Sequence, residues 1–555
     1  MRRTYRHALL ALVAAAALQA SLAHAATLLV GARIHTMDPA QPEADALAWD
    51  DAGRILAVGT APALADRFPD ARRIDVHGAT VIPGLIDAHG HTLGLGMALL
   101  QADLVGANSK QEVIARLEKH AATLPPGAWL IGRGWDQNRW PDKHFPTAAD
   151  LDAAFPDRPV FLERIDGHAA WVNSVAMKRA LKPLDGDWQP DGGRIERAGG
   201  KATGVLVDRA VELVGKAIPP MDAAQKRHAY QVAFATLVSV GLTGVHDPGI
   251  SLDDLRVLQD MADQGELPLR LYTMADGDHA ALAWLCEHGA YAHPSGRLQM
   301  RALKLYMDGA LGSRGAALLA DYSDDPGNRG ILVTDPDRYR EIVARAHRCG
   351  LQVATHAIGD RGNRLVLDTY AAVLGKDATT TDHRWRVEHA QVVALDDIPR
   401  FAALHLIASM QPTHATSDMP WVEARLGPER IRGAYAWQRF IHAGVHIALG
   451  SDFPVEYPNP MLGLYAAITR QDLAGHPPGG WYPDQRLSRE QALAGFTRDA
   501  AYAAFMEHEV GMLKAGMRAD FLILPADPMT LAPRAIADLK PMSTWVDGKP
   551  VYRAP

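Results

Sequence analysis

The chain has 555 residues, with 57 Lys and Arg against 64 Asp and Glu for a formal charge of -7, and only two cysteines. That length calls for more than one domain and can bury a large apolar interior. A mild acidity without any basic block argues against nucleic acid and anionic lipid as partners, and two cysteines exclude a disulfide framework, so the core must come from burial.

In chain order, residues 1–25 come first: basic MRRTYRH, apolar ALLALVAAAALQASL, then the small-residue site Ala23, His24, Ala25. This is the pattern of a secretory signal cleaved after Ala25. The expected mature protein is soluble and exported, periplasmic or secreted. It is not membrane-bound, because the apolar run is too short for a span and nothing later offers about 20 uninterrupted apolar residues. No Cys at the cleavage site would carry a lipid anchor.

Residues 26–82 read as short strands rich in Val, Ile, Leu and Thr between Gly, Asp and Pro turns, in TLLVGARIHTM, AWDDAGRILAVG and RRIDVHGATVIPG. The same texture returns over 508–555 in GMRADFLILPAD and PMSTWVDGKPVY. The two termini are expected to build one composite β-sandwich.

Over 83–507, strand-length apolar runs alternate with helical patterns, as in a parallel α/β core. The runs are VIPGLIDAH, GLTGVHD, LPLRLYTMAD, LQMRALKLYMD, LQVATHAIG, RWRVEHAQV, LIASMQPTH and HIALGSDFP. Eight of them predict a closed (β/α)8 TIM barrel; an open doubly wound sheet would not bring the first and last together. An insertion follows barrel strand one, at about 100–220, too long for one helix and two loops. Within it, LIGRGWDQNRWPDKHFPTAADLD reads as loop, RPVFLERID as strand and HAAWVNSVAMKRAL as helix. It is placed to roof the pocket, with Trp135 and Trp171 packing it or forming an aromatic wall for substrate.

Six candidate metal ligands fall at the C-terminal ends of these strands. His89 and His91, two apart on a strand, project from one face and can reach one ion; alone they could equally be two core histidines. Lys304 sits in an otherwise buried strand, where Lys needs a partner. Either burial leaves a neutral amine that takes up carbon dioxide as a metal-bridging carbamate, or Lys304 pairs with a carboxylate such as Asp308. His356 and His389 can hold a second ion, and Asp452 completes the first. A metal lowers the pKa of its bound water toward neutrality, so hydroxide can attack a carbonyl while Asp452 shuttles the proton. His168, Arg314 and His414 are candidate substrate contacts, as a carboxylate fork or oxyanion donors.

The order HxH, Lys, His, His, Asp on strands one, four, five, six and eight resembles the amidohydrolase superfamily. GWDQNRW, DGHAAWVNS, KLYMDGALGSRGAAL, EHAQ, QPTHATSD and ALGSDFPVEYPNPML are similar to amidohydrolase family 3, the group of N-substituted formamide deformylase-like proteins. The GSRGAAL segment is a departure: the family more often has Thr after the Arg, and here Gly315 follows Arg314. The resemblance implies a barrel with a composite β-sandwich, one or two Zn2+ or similar ions on His89, His91, Asp452, His356 and His389 with Lys304 bridging as a carbamate, and hydrolysis of an amide C–N bond. The substrate expected is a small amide, an N-acylated amine or amino acid; an ester, lactone or cyclic amide could react at the same site, and a metal-free scaffold that kept the fold is the non-enzymatic alternative. A homodimer is compatible with a chain of this size.

Overall fold

The computed structural model describes residues 26–555 except 166, 168, 191, 192 and 278. The signal segment and His168 therefore lie outside the described residues. No helix among the described residues is long and apolar enough to cross a membrane. The chain forms two compact units: residues up to Thr92 together with Phe234–Pro555, and Leu93–Ala233.

The first unit holds the expected (β/α)8 barrel. Its strands are β1 (Leu85–Asp87), β2 (Leu242–Ile250), β3 (Arg270–Asp276), β4 (Leu298–Tyr306), β5 (Gln352–Ala357), β6 (Arg386–His389), β7 (Ile407–Met410) and β8 (His446–Leu449). Each pairs in parallel with the next. The circle closes from β8 to β1 through single bonds in place of a ladder, with Ala88 N donating to Leu449 O at 2.9 Å and a bridge between Gly90 and Phe453. Small residues on three strands and just past a fourth, Ala302, Ala354, Ala448 and Ala88, share one core cluster with Tyr272, Met274 and residues from Ala500 to Val510. Such short side chains leave room for large polar groups among the strands.

The crossover helices follow ordinary capping rules. In Pro336–Arg348, Asp335 accepts from Asp337 N and Arg338 N, Pro336 opens the first turn, and Arg345, His347 and Arg348 lie in the last, each where the helix ends favour it. The two cysteines, Cys286 and Cys349, form a disulfide. It joins helix His279–His288, after β3, to the end of helix Pro336–Arg348, after β4.

Two further sheets make the sandwich. One contains Ile55–Gly59, Ala46–Trp49, Thr27–Val30 and Arg72–Asp75; the other runs Lys549–Arg553, Ser543–Val546, Phe521–Leu524, Thr80–Pro83, Arg33–His35 and Glu43–Ala44. Phe521–Leu524 lies antiparallel to Thr80–Pro83, so the two termini share the second sheet. Trp49 of the first meets Phe521 and Trp545 of the second at ring distances of 5.5 and 6.0 Å. The run VIPGLIDAH is therefore two strands that part at Gly84, the first in the sandwich and the second in the barrel.

The second unit carries a six-stranded sheet in the order Gly193–Ala198, Lys201–Asp208, Ala169–Val172, Val160–Arg164, Leu130–Trp135, Ala102–Asp103. Two expectations fail here. HAAWVNSVAMKRAL is not one helix: Ala169–Val172 is a fully buried strand, and only Ser174–Met177 is helical, capped by Asn173. The start of LIGRGWDQNRW is the strand Leu130–Trp135, not loop. In both places pairing to buried neighbours overrides local propensity. Trp135, Trp140 and Trp171 pack together at 6.0 to 6.1 Å. Trp135 and Trp171 are fully buried, with Trp135 Nε1 donating to Leu162 O and Trp171 Nε1 to Thr147 O at 2.8 Å. They are core, which leaves no face for substrate.

Candidate metal centre

β1 ends at Asp87, so His89 and His91 stand just past the strand. What holds them in line is the closing seam: His91 N donates to Phe453 O at 2.8 Å and Asp452 N to His89 O at 2.7 Å. Gly90 lets the chain pass between them, because a Cβ there would fall 2.2 Å from the Phe453 ring and force it to shift. Behind the seam, Asp87 accepts from His89 N at 3.0 Å and from Ser451 Oγ at 2.6 Å. Burial lifts Asp87 to about 7 despite those bonds.

The expected ligands converge. Asp452 Oδ1 lies 3.2 Å from His91 Nε2 and 3.6 Å from His89 Nε2. The ring of His389 is 4.9 Å from that of His89 and 4.5 Å from that of His356. Lys304 Nζ is 3.2 Å from His89 Nε2. His414, in helix Pro412–Asp418 after β7, places Nε2 3.8 Å from Asp452 Oδ2. Two ligand groups have donor atoms mutually within 4.8 Å: His89, His91 and Asp452, and His389, His414 and Asp452. Asp452 is shared, and the second group takes His414 where the sequence pairs His389 with His356. His389 and Asp452 both have positive φ, 73° and 59°, a conformation costly for side chains and concentrated at functional sites.

The electrostatics suit a cation. Burial, then the Lys304 charge, hold His89 down to about 4 and His356 to about 3; burial, then His356, hold His389 well below its usual value. These imidazoles are neutral at neutral pH, so each has a ring lone pair to offer a cation. Burial alone would raise Asp452, but His91, His89, His389 and His414 hold it well below the carboxylate range. Burial lowers Lys304 to about 8. The buried Nε2 atoms of His356 and His414 have no hydrogen-bond partner among the described residues. Neutral imidazoles, one carboxylate and orphaned ring nitrogens fit a divalent metal that accepts nitrogen and oxygen ligands.

Asp308 does not serve Lys304. Its carboxylate accepts from Ala317 N, Ile358 N and Gly359 N at 2.8 to 2.9 Å, which spends it on organising the loops after β4 and β5. Arg314 is engaged too, with Nε and Nη2 forked onto Asp324 at 3.1 and 2.9 Å.

Other residues of the centre escaped the sequence reading. Glu388 is fully buried, with Oε2 2.5 Å from His89 Nδ1. Arg386, also fully buried, lies against Glu388, Ser409, Ala88 O and His246. Gln411 Oε1 meets His389 Nδ1 at 2.8 Å. The available signal was Arg386 and Glu388 themselves, opposite charges two apart on one face of a buried strand.

Fold and site together define a metal-dependent hydrolase on a parallel barrel. The chain belongs to the amidohydrolase family, whose sequence model matches residues 72–552. It is 33% identical over 544 residues to Protein LONG AFTER FAR-RED 3 of Arabidopsis thaliana, covering 95% of this chain and 91% of that one. It is 28% identical over 551 residues to N-substituted formamide deformylase of Arthrobacter pascens, covering 94% and 97%. An uncharacterized metal-dependent hydrolase from Pyrococcus horikoshii superposes with a TM-score of 0.77 at 27% identity, over 92% of this chain and 99% of that chain.

Proposed function

We propose that the protein hydrolyses the amide C–N bond of an N-acylated amine or amino acid at a zinc centre. One observation carries the reading: the neutral imidazoles of His89, His356 and His389 gather beside the ionised Asp452. Similarity to a protein named for N-substituted formamides supports an N-acyl substrate.

His89, His91 and Asp452 would hold one ion, and His389 with His356 or His414 a second. Lys304, buried and lowered to about 8, keeps enough neutral amine to form a bridging carbamate. When bound, the metal supplies an acidified water and polarisation of the scissile carbonyl. Asp452 takes the proton from the attacking water. The same proton passes to the leaving nitrogen as the C–N bond breaks, giving a carboxylic acid and an amine. His414, beside Asp452 Oδ2 with its Nε2 unpartnered among the described residues, is positioned to donate to the developing oxyanion. Arg314 spends Nε and Nη2 on Asp324, so it would meet a substrate carboxylate through Nη1 or by leaving Asp324.

Export to an oxidising compartment is part of the proposal, supported by the N-terminal pattern of residues 1–25 and by the Cys286–Cys349 bridge.

The test is a screen of N-formyl and N-acyl amines, N-acyl amino acids, cyclic amides and lactones with zinc-loaded enzyme, alongside Asp452→Asn. We expect amide turnover that falls about 10²- to 10⁴-fold in the variant at unchanged circular dichroism. Turnover confined to lactones, or undiminished in Asp452→Asn, would refute the assignment.

A further inference from the structure

A column of polar side chains crosses the barrel beneath the metal centre, each 0 to 2% exposed: His246 on β2, Arg386 and Glu388 on β6, and His89 after β1. Arg386 Nη1 reaches His246 Nδ1 at 2.9 Å. Arg386 Nη2 donates to Glu388 Oε2 at 3.1 Å, Ser409 Oγ at 2.9 Å and Ala88 O at 2.7 Å. Arg386 Nε is 2.7 Å from Glu388 Oε1, close as an ion pair though not aligned as a hydrogen bond. Glu388 Oε2 in turn contacts His89 Nδ1.

The chemistry of these groups decides the state of His89. A carboxylate clamped by a guanidinium can only accept, so His89 Nδ1 must carry the proton. From the other side, Lys304 Nζ, a donor, faces His89 Nε2, so Nε2 presents its lone pair. The ring is thus held in one tautomer and one orientation from both sides. A guanidinium is a costly group to bury, and a buried ion pair is weak evidence for stability; its position here is explained by what it does to the imidazole.

We infer that Glu388 and Arg386 are positioning residues for the metal centre: Arg386 fixes Glu388, and Glu388 fixes His89 as the Nδ1–H tautomer with Nε2 aimed at the ion. This inference rests on the metal-hydrolase reading above and adds to it the residues that set metal affinity. It predicts that the loss on removing Glu388 appears in metal binding itself, apart from turnover.

The test uses the full-length protein stripped of metal, then titrated with Zn2+ against a chromophoric chelator and with Co2+ for its d–d absorption. Glu388→Gln keeps the size but loses the charge, and its amide can turn an N–H toward Nδ1. We expect Zn2+ binding about 10- to 100-fold weaker than in the unchanged protein and an altered Co2+ spectrum, both read on the folded variant, with an apo melting temperature lowered by the Arg386 charge left without its partner. Equal Zn2+ affinity with an identical Co2+ spectrum would overturn the inference while leaving the hydrolase reading intact. An unchanged protein that binds neither ion would overturn both. If Glu388→Gln does not fold, Arg386→Lys decides by the same readouts: it retains a cation beside Glu388 but loses the fork, so weaker Zn2+ binding in the folded variant supports the inference and unchanged binding overturns it.

Discussion

At the scale of the residue, the site depends on small, exact vacancies as much as on ligands. Gly90 lets the His89 and His91 backbone lie against Phe453, and Gly450 plays the same part opposite, where a Cβ would meet Asp87 Oδ1 at 2.5 Å and His89 N at 2.6 Å. Neither contact can relax cheaply, because the neighbours are a buried ring and buried backbone. Gly90→Ala should therefore cost about 1–3 kcal/mol of stability and weaken metal retention, since both imidazoles hang from the displaced seam. Thermal melting and metal analysis of the purified variant check this; a variant with unchanged melting and full metal content would show that the seam is pliable. Asp308 makes a complementary point. Its sequence neighbourhood offered it to Lys304, yet three backbone N–H groups claim it first, and burial lifts it to about 7.

At the scale of elements, charge pairs knit the barrel to the polypeptide around it. Arg270 on β3 forks onto Asp520 at 2.8 and 2.9 Å, tying the barrel to the sandwich. Just before β6, Arg384 grips Asp382 and Glu507 with bonds of 2.7 to 2.8 Å and stacks over Tyr502 at 4.0 Å. Asp382 is held below the usual carboxylate range by the Arg384 bond. For Glu507 burial alone would raise the carboxyl, but Arg384 outweighs it and lowers it. Depressed folded-state values mean that this stability is present above the unfolded values, 3.8 for Asp and 4.5 for Glu, and is lost as pH falls through the lower folded ones. Arg384→Met should thus cost about 2 kcal/mol at neutral pH. Its melting temperature should approach that of the unchanged protein as pH drops below about 4, and a difference independent of pH would assign the loss to packing on Tyr502 and on Phe505, whose ring lies 4.4 Å from the guanidinium.

At the scale of the whole molecule, the ligand set spans strands from β1 to β8, so an ion bound there braces the barrel across its full circle. A metal that binds only the folded state raises stability by mass action, about 2.7 kcal/mol at a hundredfold excess over Kd. Chelator treatment should lower the melting temperature and added Zn2+ restore it; identical curves with and without metal would mean that the centre does not couple to folding. The sequence by itself determined the barrel and the ligand candidates. Alternation of apolar runs and helices reports the parallel core, and a histidine or lysine at the end of a buried strand is too costly to lack a purpose. Local pattern could not show that Asp308 belongs to backbone amides and Arg314 to Asp324, that His414 stands beside Asp452, or that Glu388 and Arg386 brace His89. Nor could it show that an alanine-rich stretch around Trp171 is a strand. Those outcomes are competitions between groups distant along the chain for the same few partners, and only the folded structure brings the competitors together.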